Sequence, residues 1–238
     1  MLSDSEKNAK IKELIDAGYY DTVTDYIDIG NVRWEEDGSI TITGWDGTER
    51  DEEKYYAVMM KNLHEVLDEK GVNLIITILN PSGENGNQRV MKSITDNRDT
   101  LITNMIAFAN KYEFDGIDLD WEFPMSQDEF DAYNSFLQEL KARMKDEMWN
   151  KEDATLSLAL ATWALKYTPE TIECIDYVNV MGYDILDQDG QHSSFFSSCV
   201  QAADYIESRG FSKEQINMAS RSTEHGRAAE WSNMRITQ

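Results

Sequence analysis

The sequence predicts an α/β chain built on a parallel sheet that is curled into a barrel. Three observations lead there. Two stretches, "VNLIITIL" at 72–79 and "ATLSLALAT" at 154–162, are nearly continuous apolar runs, as in strands covered on both faces. Strand-type and helix-type segments alternate six times, which is the pattern of strand–helix units packed into a parallel sheet. Acidic residues gather at the C-terminal end of one strand, "FDGIDLDWEFP" at 114–124, where barrel enzymes place their chemistry. An open doubly wound sheet is the competing architecture, but no Gly-rich phosphate loop follows the early strands.

The elements follow in order. Residues 8–17, "NAKIKELIDA", carry an amphipathic helical pattern that stops near Gly18. Residues 23–32 alternate as a strand, and "DGSITITG" after it reads as a small hairpin between Gly38 and Gly44. Val58, Leu63, Val66 and Leu67 recur at helical spacing over 51–70, with Gly71 as the stop. The strand at 72–79 leads into "NPSGENGN" at 80–87, a loop by its turn chemistry. A helix is expected at 97–111, the acidic strand at 114–123, and a long helix at 127–149. Ser126 and Glu129 form the capping-box pair that opens this long helix, whose apolar stripe is Phe130, Tyr133, Leu137, Leu140, Met144 and Met148. Beyond the strand at 154–162 come a helical turn at Pro169, the strand "DYVNVMGYD" at 176–184, a helix at 195–209 and a last strand from 214.

Composition narrows the partners. The 238 residues are 41% hydrophobic, enough for a core, and carry a formal charge of −23. Such a field repels nucleic-acid phosphates and anionic lipid, so neither nucleic acid nor a membrane surface is an expected partner. A neutral or cationic substrate fits better. Cys174 and Cys199 form no disulfide framework, and no Cys/His spacing points to a metal, so no metal or other cofactor is expected. No apolar run reaches the roughly 18 residues of a membrane span, and "MLSDSEKNAK" is too polar for a signal peptide. His64, His192 and His225 have no partner spacing and receive no role.

Side chains alternate faces along a strand, so Asp118, Asp120 and Glu122 share one face at steps of about 6.6 Å, while Asp115 has the other parity and braces the strand start or a neighbouring loop. On an edge strand the three would be a solvated acidic face; another reading is a metal site. If the face points into a barrel, three carboxylates climb towards its mouth. Close carboxylates of low solvation cannot all ionise easily, which makes the outermost, Glu122, a natural general acid. The spacing alone names no reaction.

The same stretch resembles the D-x-x-D-x-D-x-E signature of glycoside hydrolase family 18, the chitinase-type (β/α)8 barrels. The Trp-Glu-Phe-Pro ending is close to the chitinase branch. "TDNRDTLITNMIAFANKYE" is similar to the family's helix before the signature, "IDYVNVMGYD" to its sixth strand, and "VTDYIDIGNVRWEEDGSI" to its second strand and turn. The resemblance covers roughly 20–218. It implies an incomplete TIM barrel with strands two to seven, and a glycosidase acting on β-1,4-linked N-acetylglucosamine in chitin or chitooligosaccharides. In that family the substrate's own N-acetyl carbonyl is the nucleophile and configuration is retained. Glu122 would be the acid/base, Asp120 would orient the acetamido group, and Asp118 would share a proton with Asp120. Tyr183 would bond the acetamido oxygen, while Met181 and Asp184 would shape the floor and contact the sugar. Trp163 stands where it could stack on a ring or pack in the core; Trp34 and Trp45 are cleft-wall or structural residues. Alternatives are an endo-β-N-acetylglucosaminidase, a non-catalytic sugar binder, or an inactive partial product. Relatives are often secreted; this chain shows no leader.

The chain departs from the family at "ITILNPSG", where the third strand usually ends in Ser-x-Gly-Gly. A first strand and an eighth, with its floor tryptophan, are missing from the pattern; Trp231 stands in no strand-like context. Two segments are therefore expected: a partial barrel at 1–218 and an atypical tail at 219–238. The first carries 19 Lys+Arg against 43 Asp+Glu, the tail three Arg against two Glu. For one choice of codons for the family's Gly-Leu-Pro-Phe-Tyr-Gly, deleting one G gives Ala-Ser-Arg-Ser-Thr, as at 219–223, so the tail is expected to be a shifted frame. An open barrel with unpaired edges implies marginal stability.

Overall fold

The computed structural model describes residues 13, 16–18, 21, 23–43, 48–81, 83–163, 165–182, 196–221 and 231–235. Most of the predicted helix at 8–17 lies outside them, as do Trp45, His192 and His225. Six strands run parallel in sequence order: β1 (Asp25–Trp34), β3 (Asn73–Leu79), β4 (Gly116–Asp120), β5 (Thr155–Leu160), β6 (Tyr177–Met181) and β7 (Ile216–Arg221). They are the strands expected as two to seven. β2 (Ile40–Ile42) and β8 (Trp231–Arg235) pair antiparallel to β1 and β7 at the two ends of the sheet.

The sheet is open as expected, and these end strands move its edges outward from β1 and β7 to β2 and β8. β2 occupies the edge of β1 at Val32–Trp34, and β8 lies along β7 from Asn217 to Arg221. Trp231 therefore belongs to a strand after all. Ladder bonds use backbone N–H and C=O groups, so a segment without hydrophobic period can still complete an edge.

The helices are α1 (Ala57–Lys70, entered through a π-turn at Glu52–Tyr56), α2 (Gly86–Thr95), α3 (Arg98–Lys111), α4 (Gln127–Glu147), α5 (Pro169–Cys174) and α6 (Phe196–Ser208). α2 was missed because "NPSGENGN" reads as continuous turn chemistry; the chain leaves that loop at Asn85, in the left-handed region at φ 59°, and enters the helix at Gly86. The α4 capping box forms as expected, with Glu129 N–H on Ser126 Oγ at 3.2 Å and Ser126 N–H on the Glu129 carboxylate at 2.8 Å. All six residues of its apolar stripe are buried.

Alternation divides the strands into two faces. Ile76, Ile78, Ile117, Leu119, Leu156, Leu158, Val178 and Val180 pack outward with Leu101, Met105, Phe136 and Leu140 of the helices. Each such fully buried aliphatic side chain contributes about 1.5–3 kcal/mol. The opposite face carries Thr77, Asp118, Ser157 and Asn179, joined by hydrogen bonds. Gly116 sits on that inner face, where a Cβ would lie 2.5 Å from Thr155 O and 2.7 Å from Ile75 Cδ1. Only glycine lets β4 approach β5 this closely.

Candidate active site

The site is the C-terminal end of β4, where the ladder stops at Asp120 and the chain turns outward through Trp121, Glu122 and Phe123. Asp118 is buried, and its carboxylate accepts from Thr77 Oγ1 (2.9 Å), Ser157 Oγ (2.6 Å) and Asn179 Nδ2 (3.0 Å). Asn217 Nδ2 continues the belt to Asn179 Oδ1 at 3.5 Å, so polar side chains link β3 to β7 across the sheet. Burial pushes the Asp118 carboxyl up, opposed by its bonds to Ser157, Thr77 and Asn179. Among the described residues Asp118 does not bond Asp120; its oxygens are taken by neighbouring strands.

Asp120 stands one step higher. Its Oδ1 is buried without a hydrogen-bond partner among the described residues. Burial, then the charges of Glu122 and Asp118, push its carboxyl up to about 8, while Arg33 pulls the other way. Glu122 is exposed, and partial desolvation raises its carboxyl. Both upper acids are thus pushed towards the protonated form, Asp120 with acidic neighbours on either side and Glu122 by desolvation at the open end of the column.

The backbone around Glu122 is held from two sides. Asn80 N–H donates to Asp120 O at 3.0 Å, and Asn80 Oδ1 accepts from Glu122 N at 3.4 Å. Arg33 Nη1 donates to Asn80 O at 3.0 Å, and Arg33 stands in register with Leu79, itself in register with Asp120. On the other side, Asn87 of α2 accepts from Trp121 Nε1 and donates to Phe123 O, each at 3.0 Å. The Trp121 ring is buried edge-on against Tyr133 of α4, with centroids 5.0 Å apart.

The other expected site residues divide. Trp163 is 51% exposed and meets Phe123 edge-on at 5.0 Å, beside the acid turn rather than in the core. Met181 ends β6, half-buried, on the same face as Asn179. Tyr183 and Asp184 lie outside the described residues. Asp115 accepts from Leu74 N at 2.8 Å, at the other end of β4. Trp34 is fully buried under the sheet and donates to Ser93 Oγ at 3.1 Å. Sequence reasoning missed Thr77, Ser157, Asn179, Asn217, Arg33, Asn80 and Asn87. Polar residues inside otherwise apolar strands were the available signal for the first four; nothing local marks the rest.

No group of three metal-ligating side chains occurs among the described residues, and no helix there is long and apolar enough to cross a membrane. Cys174 and Cys199 are free thiols.

Comparison with known proteins points the same way. The family model described as glycosyl hydrolases family 18 matches residues 82–229, more than half of the chain. The chain is 39% identical over 103 residues to killer toxin subunits alpha/beta of Kluyveromyces lactis, covering 37% of this chain and 8% of that one. It is 32% identical over 97 residues to an endochitinase of Manduca sexta, covering 37% and 17%. A class V chitinase of Nicotiana tobaccum solved with NAG4 shares the fold at a TM-score of 0.63 and 16% identity, over 90% of this chain and 69% of that one. The chain thus spans less than a fifth of those two curated relatives. The sheet carries six consecutive strands of the barrel without closing it. A glycosidase by ancestry, with the acid signature at the end of its central strand and the family model running through it, this protein is a member of glycosyl hydrolase family 18.

Proposed function

We propose that the chain hydrolyses β-1,4-linked N-acetylglucosamine glycans, chitin or chitooligosaccharides, by substrate-assisted retaining catalysis. The observation that carries this reading is Asp120: a half-buried residue whose carboxyl Oδ1 is buried and unpartnered among the described residues, two residues before an exposed acid. An orphaned buried acceptor invites a donor from the ligand, and an acetamido N–H supplies one. The Asp118 belt fixes the inner end of the column, so Asp120 and Glu122 are left to act.

In the first step Glu122 gives its proton to the glycosidic oxygen as the C1–O bond breaks. The acetamido carbonyl oxygen bonds to C1 and yields a cyclic oxazolinium, with Asp120 bonded to its N–H and facing the positive charge. Water then attacks C1, the ring opens to restore the acetamide, and Glu122 recovers its proton from that water. Tyr183 would bond the acetamido oxygen; Met181, Asp184 and Trp163 would hold the sugar. The names of the relatives, an endochitinase and a chitinase solved with NAG4, support the substrate class.

The test is release of a fluorophore from an N,N′-diacetylchitobiose glycoside by the chain and by Glu122→Gln. Loss of the general acid is expected to lower kcat by about 10²–10⁴-fold. Equal turnover by the variant would refute the assignment.

A further inference from the structure

We propose that Asn87 is a positioning residue that aims Glu122, and this rests on the hydrolase reading above. Asn87 is the second residue of α2, outside the strand that carries the acids, yet its side-chain amide spans the turn that bears Glu122. Its Oδ1 takes the indole N–H of Trp121 and its Nδ2 reaches the carbonyl of Phe123, both at 3.0 Å. These contacts fall on the residues immediately before and after the acid.

The clamp has a rigid backing. Trp121 is 3% exposed and its ring stands edge-on to the fully packed Tyr133, so a bond to its indole fixes the residue before Glu122 against α4. On the opposite side Asn80 holds Glu122 N, the longer bond of the set at 3.4 Å. Glu122 itself is exposed and makes no side-chain hydrogen bond among the described residues, so its direction is set by the backbone on either side of it. A general acid must point at the leaving oxygen within hydrogen-bond reach, and a displacement of about 1 Å lowers the rate about 10²-fold. Asn87 therefore acts through Glu122 rather than on the substrate.

The role has a signature that plain stabilisation lacks. A misaimed acid matters when the leaving group needs a proton and matters little when it does not. Asn87→Ala would be assayed on a chitooligosaccharide, which expels a sugar hydroxyl, and on a dinitrophenyl chitobioside, whose phenolate leaves unaided. The expected result is a kcat/KM, which reports the bond-breaking step and not the later attack of water, lower by about 10–100-fold on the oligosaccharide and within about threefold on the dinitrophenyl substrate. Asn87→Leu, which keeps about the same volume and removes the bonds to Trp121 and Phe123 without placing a charge beside Glu129, covers the case in which the alanine variant does not fold. It is expected to show the same leaving-group dependence. Equal defects on both substrates, or full activity, would overturn the positioning role. No turnover by the parent chain on either substrate would overturn the hydrolase reading itself, and the inference with it.

Discussion

Asp28 gives the sharpest stability prediction, because it is a buried acid that the chemistry does not use. It lies on the helix-facing side of β1, 7% exposed, and its carboxylate accepts one bond, from Tyr56 Oη at 2.8 Å. Burial raises its carboxyl from 3.8 to about 6, with the Tyr56 bond opposing. Because the folded value lies above the unfolded one, the stabilising contribution is complete below pH 3.8 and is lost as pH rises through about 6. The full swing is about 3 kcal/mol, of which about 1.4 kcal/mol falls between pH ~5 and pH ~8. A sequence pI near 4.4 makes the lower part of the range impractical for solubility. Asn at position 28 keeps an acceptor for Tyr56 but cannot ionise, so it removes that swing while adding a constant penalty of about 1–3 kcal/mol for its unpartnered N–H groups. Urea unfolding of the parent and Asp28→Asn at the two pH values isolates the titration. The variant should gain about 1.4 kcal/mol relative to the parent on going from pH ~5 to pH ~8. A difference that does not change with pH would refute the buried, singly bonded carboxyl described here.

Two more expectations concern the column itself. Gly116→Ala sets a Cβ 2.5 Å from the Thr155 carbonyl oxygen, a backbone atom that cannot swing aside, so thermal unfolding should show a loss of about 1–3 kcal/mol or more; an unchanged Tm would mean β4 and β5 can separate freely. Arg33→Met removes the cation that opposes Glu122 and Asp118 at Asp120, so the carboxyl near 8 should titrate higher by about 0.5–1 pH unit. Carbon-13 NMR of the aspartate carboxyls follows this directly, and an unmoved titration would show that Arg33 acts only through its bond to Asn80.

The sequence by itself determined the parallel sheet, the six strands that build it and the acid column, because each is written locally. Apolar runs mark strands covered on both faces, helical spacing marks the stripe of α4, and a period of two puts Asp118 and Asp120 on one face. Recognition of the family came from the same contiguous residues, 114–124. Tertiary structure decided what those acids experience. Thr77, Ser157 and Asn179 lie 41, 39 and 61 residues from Asp118 in the chain, and only strand register brings them onto its oxygens. The same holds for Asn87 and Arg33, whose local surroundings read as a loop and as an ordinary strand end. The edge strand at Trp231–Arg235 was illegible for a different reason: its pairing uses backbone groups that every residue carries, so no pattern of side chains announces it. Residue types and spacing specify which groups a strand presents; which of them are desolvated, paired or left with an empty acceptor depends on neighbours that only the folded sheet supplies.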